Sequence, residues 1–179
     1  MKLCMIGTGY VGLVSGTCFA DIGNQVYCVD KDKNKIDKLN SGVSPIYEPG
    51  LDELIKKNYD ANRLIFTTDI KKAINASDLI FICVGTPTKK GSLKVDLSFV
   101  YKCVKEVLKH TKKKKIIITK STVPVGTGAE IEKIIKKKKK LFSVISNPEF
   151  LREGEAIRDF RYPDRIVIGS DNKSEFKTM

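Results

Sequence analysis

The sequence predicts an α/β fold in which a doubly wound, mostly parallel sheet carries helices on both faces. Two observations predict it. Short apolar segments typical of strands alternate with segments of helical periodicity along most of the chain. One of the strand segments, residues 79–84, is apolar at every position, as expected of a strand covered on both faces of a parallel sheet. Together they indicate consecutive β-α-β units with right-handed crossovers.

The first half of the chain predicts four strands separated by helices. Gly23 offers a left-handed end for the first helix, and Asp69 can cap the fourth. Residues 44–50 contain two prolines and are predicted to be a loop. We expect strands at residues 2–6, 25–29, 64–67 and 79–84, and helices at residues 10–22, 33–40, 51–58 and, behind Asp69, up to residue 76.

The second half continues the same alternation. Apolar residues spaced three and four apart predict a helix over residues 96–110. Further strands are expected at residues 116–119, 142–146 and 165–169. A further helix is expected at residues 128–136, and a short helix with flanking residues within 147–160. Residues 1–170 are therefore predicted to form one domain, and the polar residues 171–179 a tail or the start of an interrupted helix.

The net charge of +12 is concentrated in a few places. Nine lysines form two runs, residues 112–115 and 136–140, each between a predicted helix and a predicted strand. Such connections lie at the sheet edge opposite the carboxyl ends of the strands, where lysines stay solvated near helix C-termini. The runs contain no interleaved aromatic residues, and the chain has no zinc-finger spacing. We therefore expect no nucleic-acid partner, with a basic nucleic-acid-binding protein as the remote alternative.

The cysteines indicate a reducing compartment. Their number is odd, they form no C-x-x-C pair, and they fall in apolar strand or helix segments. Buried, reduced thiols are predicted, which suits a cytoplasmic protein. No apolar run approaches the roughly 20 residues that span a bilayer, so no membrane partner is expected. The cysteines are Cys4, Cys18, Cys28, Cys83 and Cys103.

Residues 7–12, with the sequence GTGYVG, fit the pattern G-x-G-x-x-G. The pattern follows a predicted strand and opens a predicted helix, and Asp30 ends the next strand 18 residues after Gly12. This context is typical of a dinucleotide-binding turn. Gly7 would permit the tight turn, Gly9 the approach of a pyrophosphate, and Gly12 the close packing of the helix on the strand.

Asp30 bears on the choice of dinucleotide. Its carboxylate would accept hydrogen bonds from the adenosine ribose hydroxyls and repel a 2′-phosphate, which favours NAD over NADP. Lys31, Lys33 and Lys35 keep NADP open, because a nearby cation can accommodate the additional phosphate. The helix N-terminus would supply free N–H groups and a positive dipole to the phosphates. The segment therefore predicts a Rossmann-type domain with NAD as its cofactor.

Three further segments follow predicted strands, at the edge where an open α/β sheet binds ligands. They are residues 84–88, 120–124 and 147–154. The third has two interpretations. Asn147, Pro148 and Glu149 would make a good helix start, with Glu149 and Glu153 on one face. Equally, Glu149 and Glu153 could form a functional carboxylate pair.

Ordered motifs along the chain resemble a known family. They are GTGYVG, the later Asp30, SPIYEPGL, VGTPT, KSTVPVGTG, NPEFLREG and PDRIVIG. In this order they resemble the UDP-glucose/GDP-mannose dehydrogenase family of nucleotide-sugar dehydrogenases, over residue 2 to about residue 170. KSTVPVGTG and PDRIVIG are more similar to the UDP-glucose branch than to the GDP-mannose branch.

The resemblance implies the NAD domain of an enzyme that oxidises the C6 hydroxyl of UDP-glucose, or of a related nucleotide sugar, to a carboxylate. Such enzymes use two NAD⁺ and form a thioester on a cysteine. By motif position, the residues implied to hold the adenosine and pyrophosphate are Gly7, Gly9, Tyr10, Val11, Gly12, Asp30 and Lys35. Thr86 and Thr122 would lie along the NAD, and Glu153 near its nicotinamide end.

The same resemblance implies catalytic and substrate residues. Glu149 and Thr122 would position or deprotonate the water that hydrolyses the thioester, a role that suits a carboxylate. The implied substrate contacts are Glu149, Phe150, Leu151 and Arg152. No metal site is implied.

The family's nucleophilic cysteine, with its lysine and asparagine partners, lies in regions that correspond to positions beyond residue 179. None of the five cysteines here occurs in a comparable segment, so we expect this chain to bind NAD without oxidising UDP-glucose by itself. Full-length relatives are expected to pair as homodimers. A non-catalytic NAD-binding remnant and a dehydrogenase of a different UDP-sugar remain the alternatives.

Overall fold

A computed structural model describes residues 1–138 and 140–179, except the side chains of residues 173 and 174. The strands are β1 (Lys2–Ile6), β2 (Gln25–Val29), β3 (Leu64–Thr67), β4 (Leu79–Ile82), β5 (Lys115–Thr119) and β6 (Phe142–Ser146). The α-helices are α1 (Tyr10–Asp21), α2 (Lys33–Asn40), α3 (Leu51–Asp60), α4 (Ile70–Ala76), α5 (Ser98–His110), α6 (Thr127–Ile135) and α7 (Ala156–Arg161). Single 3-10 turns follow at Lys136–Lys138 and Lys173–Lys177.

The strands form one six-stranded sheet in the order β3-β2-β1-β4-β5-β6. Every pairing of neighbouring strands is parallel, which confirms the doubly wound α/β class. The order reverses between β1 and β4, and Ile6 of β1 pairs with both Val29 of β2 and Ile82 of β4. The carboxyl ends of these three strands are therefore level. A crevice at such a reversal is where open α/β sheets bind ligands.

Alternate residues of each strand enter two separate cores, as the period of a strand requires. Leu3 and Met5 of β1 pack into a core with α1, α3 and α7. Cys4 and Ile6 pack into a second core on the opposite face, with α4, α5 and α6. Both faces of the central strands are thus dry, which explains their unbroken apolar sequences.

Helix α1 lies close against the sheet because its inward positions are small. A Cβ atom on Gly16 would stand 2.7 Å from Cys28 Sγ and 3.1 Å from Met5 Cγ. The close packing that the motif predicted at Gly12 thus continues one turn later, at Gly16. Beyond the helix, Gly23 adopts the predicted left-handed conformation, with φ of +96°.

Of residues 147–160, predicted to contain a short helix with flanks, residues 147–155 are not helical. Asn147 extends the sheet instead of capping a helix, because its backbone N–H donates to Thr119 O and its side chain amide donates to Val167 O. Gly154 has a φ of +88°, which interrupts a right-handed helix, and α7 begins only at Ala156. Glu149 and Glu153 consequently do not share a helix face, so the helix-start interpretation fails.

The strand predicted at residues 165–169 is also absent from the described structure. Only Gly169 pairs with the edge strand, through an isolated antiparallel bridge to Ser146. The short helix α7 packs against α1. Beyond the bridge, Ser170 Oγ donates to Val144 O at 3.3 Å. The following turn, Lys173–Lys177, is fixed to β6 by a 2.8 Å hydrogen bond from Ser143 Oγ to Glu175 Oε1.

The lysine runs precede β5 and β6, at the edge opposite the carboxyl ends of the strands. Residues 112–114 are exposed, as expected. Lys115 is the exception: it begins β5, is buried, and donates from Nζ to the carbonyl oxygen of Ser77. Its position inside a sheet register overrides the preference of lysine for water. Lys139 lies outside the described residues.

All five cysteines are free and buried, as predicted. Among the described helices, none is both long and apolar enough to cross a membrane.

Candidate dinucleotide site

The turn after β1 requires two of its glycines for purely steric reasons. Gly7 has a φ of +103°, and a Cβ there would lie 2.5 Å from Cys83 O. A Cβ on Gly12 would lie 1.9 Å from Gly7 O and 3.0 Å from Cys83 Cβ. Both glycines therefore let the turn and the first turn of α1 approach the end of β4.

Gly9 is different because its surroundings are open. A Cβ placed on Gly9 would meet no atom within 4 Å. Gly9 is also the N-cap of the twelve-residue helix α1, whose first turn has no acidic residue and no side-chain cap. Free N–H groups and the positive end of the helix dipole thus face open space. This arrangement fits a diphosphate group, whose oxygens accept such hydrogen bonds.

Asp30 follows β2 and fixes the glycine turn. Its Oδ2 accepts hydrogen bonds from the Thr8 backbone N–H at 3.0 Å and from Thr8 Oγ1 at 2.8 Å. Its Oδ1 accepts from the Asp32 backbone N–H at 3.1 Å, and a carboxylate oxygen has a second lone pair for a ribose hydroxyl. Burial alone would raise the pKa of Asp30, but these hydrogen bonds and Lys35 lower it below its usual value.

Of the three lysines that kept NADP open, only Lys35 contacts Asp30. Its Nζ lies 3.3 Å from Asp30 Oδ2. Lys33 pairs with Asp37 one helical turn away, and Lys31 lies over the ring of Phe99. A cation is therefore present beside Asp30, but it is already paired with that carboxylate.

Asp30→Asn is expected to lower the free energy of unfolding by about 2 kcal/mol at pH 7, because charge-assisted hydrogen bonds to Thr8 are weakened. A carboxyl whose pKa is lowered by folding stabilises the protein above its unfolded pKa, and this contribution is lost as the pH falls. The difference from wild type should therefore shrink below about pH 4. Urea unfolding at several pH values measures it.

The control for this substitution is Asp37→Asn, which removes an exposed ion pair with Lys33 and should change stability by less than about 0.5 kcal/mol. An Asp30→Asn effect that is equally large at pH 3 and pH 7 would contradict the assignment.

The loops after β4 and β5 meet beside the turn. Thr86 Oγ1 donates to Thr122 O at 2.9 Å, and Ser121 Oγ donates to Val84 O at 2.7 Å. The two threonines predicted to lie along the NAD are thus brought together.

The segment after β6 lines a cavity of about 410 Å³. Glu149 Oε2 accepts a 2.6 Å hydrogen bond from the backbone N–H of Leu151, which orients this carboxylate. The guanidinium of Arg165 covers the ring of Phe150, with Cζ 4.6 Å from the ring centroid. All the predicted substrate contacts line this one cavity: Glu149, Phe150, Leu151 and Arg152. In the described part of the chain no hydrogen bond joins Glu149 to Thr122, its predicted partner in water activation.

Arg152 is already engaged by neighbouring carboxylates. Its Nε and Nη2 donate to the two oxygens of Asp159 at 3.1 and 2.7 Å, and Nη2 lies 2.7 Å from Glu155 Oε2. The hydrogen bonds from Arg152 lower the pKa of Asp159 to about 2. Arg152 therefore holds the segment to α7, and a substrate that used this guanidinium would compete with both carboxylates.

Two buried ionisable residues at the site could be assigned no role from the sequence. Lys120 lies after β5, lines the 410 Å³ cavity, and donates from Nζ to Asn147 Oδ1 at 3.3 Å. Burial lowers the pKa of Lys120, against the opposing influence of Cys83 and Glu149. A lysine directly behind an apolar strand is the signal that could have identified it.

The second such residue is Glu48, which is only 6% exposed. It accepts hydrogen bonds from the hydroxyl of Tyr10, from Gly154 N at 2.8 Å and from Ile157 N at 3.2 Å. Burial and the bond to Glu48 raise the pKa of Tyr10 to about 12, and the charge of the exposed Glu153 adds to this shift. Glu153 directly precedes Gly154, whose backbone N–H donates to the hydroxyl of Tyr10 at 2.7 Å, so it lies near the side chain of the first residue of α1.

Comparisons with known proteins agree with this geometry. Residues 1–179 match the UDP-glucose/GDP-mannose dehydrogenase family, NAD binding domain. The chain is 56% identical over 173 residues to the UDP-glucose 6-dehydrogenase of Rhizobium meliloti, a match that covers 96% of this chain and 40% of the relative. It is 55% identical over 172 residues to UDP-glucose 6-dehydrogenase TuaD of Bacillus subtilis, with 94% and 37% covered.

Solved structures give the same result. A GDP-mannose dehydrogenase from Pseudomonas aeruginosa superposes with a TM-score of 0.91 at 39% identity, over 99% of this chain and 43% of that one. A UDP-glucose dehydrogenase from Pyrobaculum islandicum superposes with a TM-score of 0.90 at 37% identity, over 98% and 42%. The chain thus spans about 40% of the length of the relatives it matches. It belongs to the UDP-glucose/GDP-mannose dehydrogenase family, of which it forms the NAD-binding domain.

Proposed function

We propose that this chain is the NAD-binding part of a UDP-glucose 6-dehydrogenase, which converts UDP-glucose, two NAD⁺ and water to UDP-glucuronate and two NADH. The open N-terminus of α1 above Gly9, with Asp30 at the end of the adjacent strand, carries the proposal. The identities of 56% and 55% to enzymes of that name support the substrate. In this proposal residues 1–170 form the cofactor domain.

Different residues at the crevice bind different parts of NAD⁺, which when bound accepts a hydride from the substrate. Backbone N–H groups at the start of α1 bind the diphosphate, helped by the helix dipole. Asp30 Oδ1 accepts a hydrogen bond from the adenosine ribose. Against the effect of burial, hydrogen bonds from Thr8 and Asp32 and the charge of Lys35 lower the pKa of that carboxyl. Thr86 and Thr122, which are joined by the hydrogen bond from Thr86 Oγ1 to Thr122 O, line the path towards the nicotinamide end of NAD⁺, where Glu153 lies.

Glu149 is proposed to act in thioester hydrolysis. Its carboxylate is oriented by Leu151 N and lies in the field of the buried Lys120. There it would take a proton from water as the water oxygen bonds to the acyl carbon and the carbon–sulfur bond breaks, which releases the cysteine thiolate. Thr122 would help to position that water.

The nucleophile of that thioester is not among the cysteines of this chain. The thiolate is the reactive form of cysteine. Burial raises the pKa of Cys18 and Cys83 to about 12 and that of Cys103 to about 11, and it raises those of Cys4 and Cys28 as well. We therefore propose that residues 1–179 bind NAD⁺ but do not oxidise UDP-glucose alone.

Calorimetric titration of the chain with NAD⁺ and NADP⁺ tests the cofactor site. We expect NAD⁺ to bind at least about tenfold more tightly, because a 2′-phosphate would face the Asp30 carboxylate, and tenfold corresponds to about 1.4 kcal/mol. In the same samples, UDP-glucose should produce no NADH absorbance. Equal affinities would refute the role of Asp30, and NADH formation would refute the exclusion of the five cysteines.

A different nucleotide sugar is the second candidate substrate, because a GDP-mannose dehydrogenase superposes as well as a UDP-glucose dehydrogenase does, with TM-scores of 0.91 and 0.90. The shift in thermal unfolding temperature caused by UDP-glucose or GDP-mannose, each with saturating NAD⁺, discriminates between the two. A larger shift with GDP-mannose would favour the second candidate.

A further inference from the structure

Glu48 joins two parts of the site that are distant in sequence. Tyr10 is the first residue of α1 and directly follows Gly9, the N-cap at the diphosphate position. Its hydroxyl donates to Glu48 Oε2 and accepts a 2.7 Å hydrogen bond from Gly154 N, 144 residues away. Glu48 itself accepts from Gly154 N and, through Oε1, from Ile157 N. One buried carboxylate thus connects the phosphate turn to the segment after β6.

That segment depends on such contacts because residues 147–155 form no helix or strand. Several of its other hydrogen bonds are local, such as those from Leu151 N to Glu149 and from Arg152 to Asp159. The bonds at Gly154 instead tie it to α1 and to the loop before α3. Gly154 lies beside Glu153 and only five residues from Glu149. A displacement of Tyr10 would therefore move the backbone that carries both carboxylates.

We propose that Tyr10 and Glu48 are positioning residues that couple occupation of the phosphate turn to the placement of residues 149–155. A diphosphate bound at the start of α1 fixes the backbone of Tyr10, and through its hydroxyl fixes Glu48 and Gly154. Such coupling is reciprocal, so an ordered segment also strengthens nucleotide binding by the same factor. The proposal rests on the proposed function only in taking a dinucleotide as the ligand.

Hydrogen exchange at the Gly154 and Ile157 amides tests the coupling, with ADP-ribose as the probe. ADP-ribose carries the adenosine and diphosphate but has no nicotinamide to reach Glu153. Saturating ADP-ribose should slow exchange of these two amides about five- to tenfold in wild type, a coupling of typical size. In Tyr10→Phe and Glu48→Gln, saturating ADP-ribose should slow it less than about twofold. The affinity of each variant for ADP-ribose should fall by the same factor as the slowing of amide exchange that the variant loses.

The matched control uses another tyrosine–glutamate hydrogen bond, between Tyr101 of α5 and Glu130 of α6. Tyr101→Phe and Glu130→Gln should keep the full ADP-ribose effect at Gly154. A merely structural Glu48 would make exchange faster in its variant but leave the ADP-ribose effect intact. That result would overturn the coupling and leave the proposed function standing. So would wild-type protein that is saturated with ADP-ribose and shows no slowing of exchange at these amides. Failure of wild type to bind ADP-ribose would overturn the proposed function as well.

Discussion

Gly12→Ala is expected to lower the free energy of unfolding by about 3 kcal/mol, the upper part of the range for overpacked sites. The new methyl group would lie 1.9 Å from Gly7 O, and neither partner can move easily. Gly7 is fixed by a 2.7 Å hydrogen bond from its N–H to Val29 O, and Gly12 by the helix. The start of α1 must therefore move away from β4. Urea unfolding followed by circular dichroism measures the change.

Gly85→Ala provides the control, since a Cβ at Gly85 would meet no atom within 4 Å. We expect it to change stability by less than about 0.5 kcal/mol, as is usual for unobstructed surface substitutions. Gly12→Ala should also weaken NAD⁺ binding, because the displaced helix start carries the diphosphate donors. An alanine variant that unfolds at the wild-type urea concentration would show that the turn is more plastic than its geometry indicates.

Gly9→Ala is expected to separate binding from folding. The methyl group would occupy open space, and φ at Gly9 is −72°, so stability should change by no more than about 1 kcal/mol, the typical cost at an N-cap. The same methyl group would stand where the diphosphate approaches. Steric conflict of 1–3 kcal/mol should weaken NAD⁺ binding on the order of 10- to 100-fold.

Calorimetric titration of Gly9→Ala with NAD⁺ measures this loss, and thermal unfolding of the same sample measures stability. Wild-type affinity in a folded Gly9→Ala variant would mean that the diphosphate does not pass over Gly9. The two glycine variants are informative as a pair, because Gly12→Ala should mainly lower stability and Gly9→Ala should mainly lower the affinity for NAD⁺.

The sheet, most helices and the dinucleotide turn could be predicted because local sequence encodes them. The central strands are apolar at successive positions because both of their faces are buried. The glycines of the turn follow a recognisable spacing, although the contact that requires Gly7 is with the distant Cys83. Asp30 is recognisable because its distance from the turn is set by one helix and one strand. Each of these features can be recognised from residues that lie close together in the sequence.

Residues 147–155 could not be predicted in this way. Asn147, Pro148 and Glu149 have good helix-start propensities, but pairing of Asn147 with Thr119 and the left-handed Gly154 outweigh them. A favourable helix-cap residue contributes about 1 kcal/mol. Two or more tertiary hydrogen bonds together contribute more than this. Gly154 was the local signal that pointed the other way.

The partners of Glu48 could not be deduced from spacing either. Tyr10 and Gly154 lie 38 and 106 residues from it. Only the packing of α7 on α1 brings the three together, and no local pattern records that packing. Lys115 is similar, because its burial follows from the register of β5 and not from the lysines before it.

The interior location of all five thiols makes this protein convenient for spectroscopy. A maleimide dye reacts with exposed thiolates, so one cysteine introduced at the surface would be the one site that the dye labels. Val125 is fully exposed, three residues from Thr122 on the loop after β5. A fluorophore attached there would lie beside the crevice and could report the arrival of a nucleotide in real time, in the native fold.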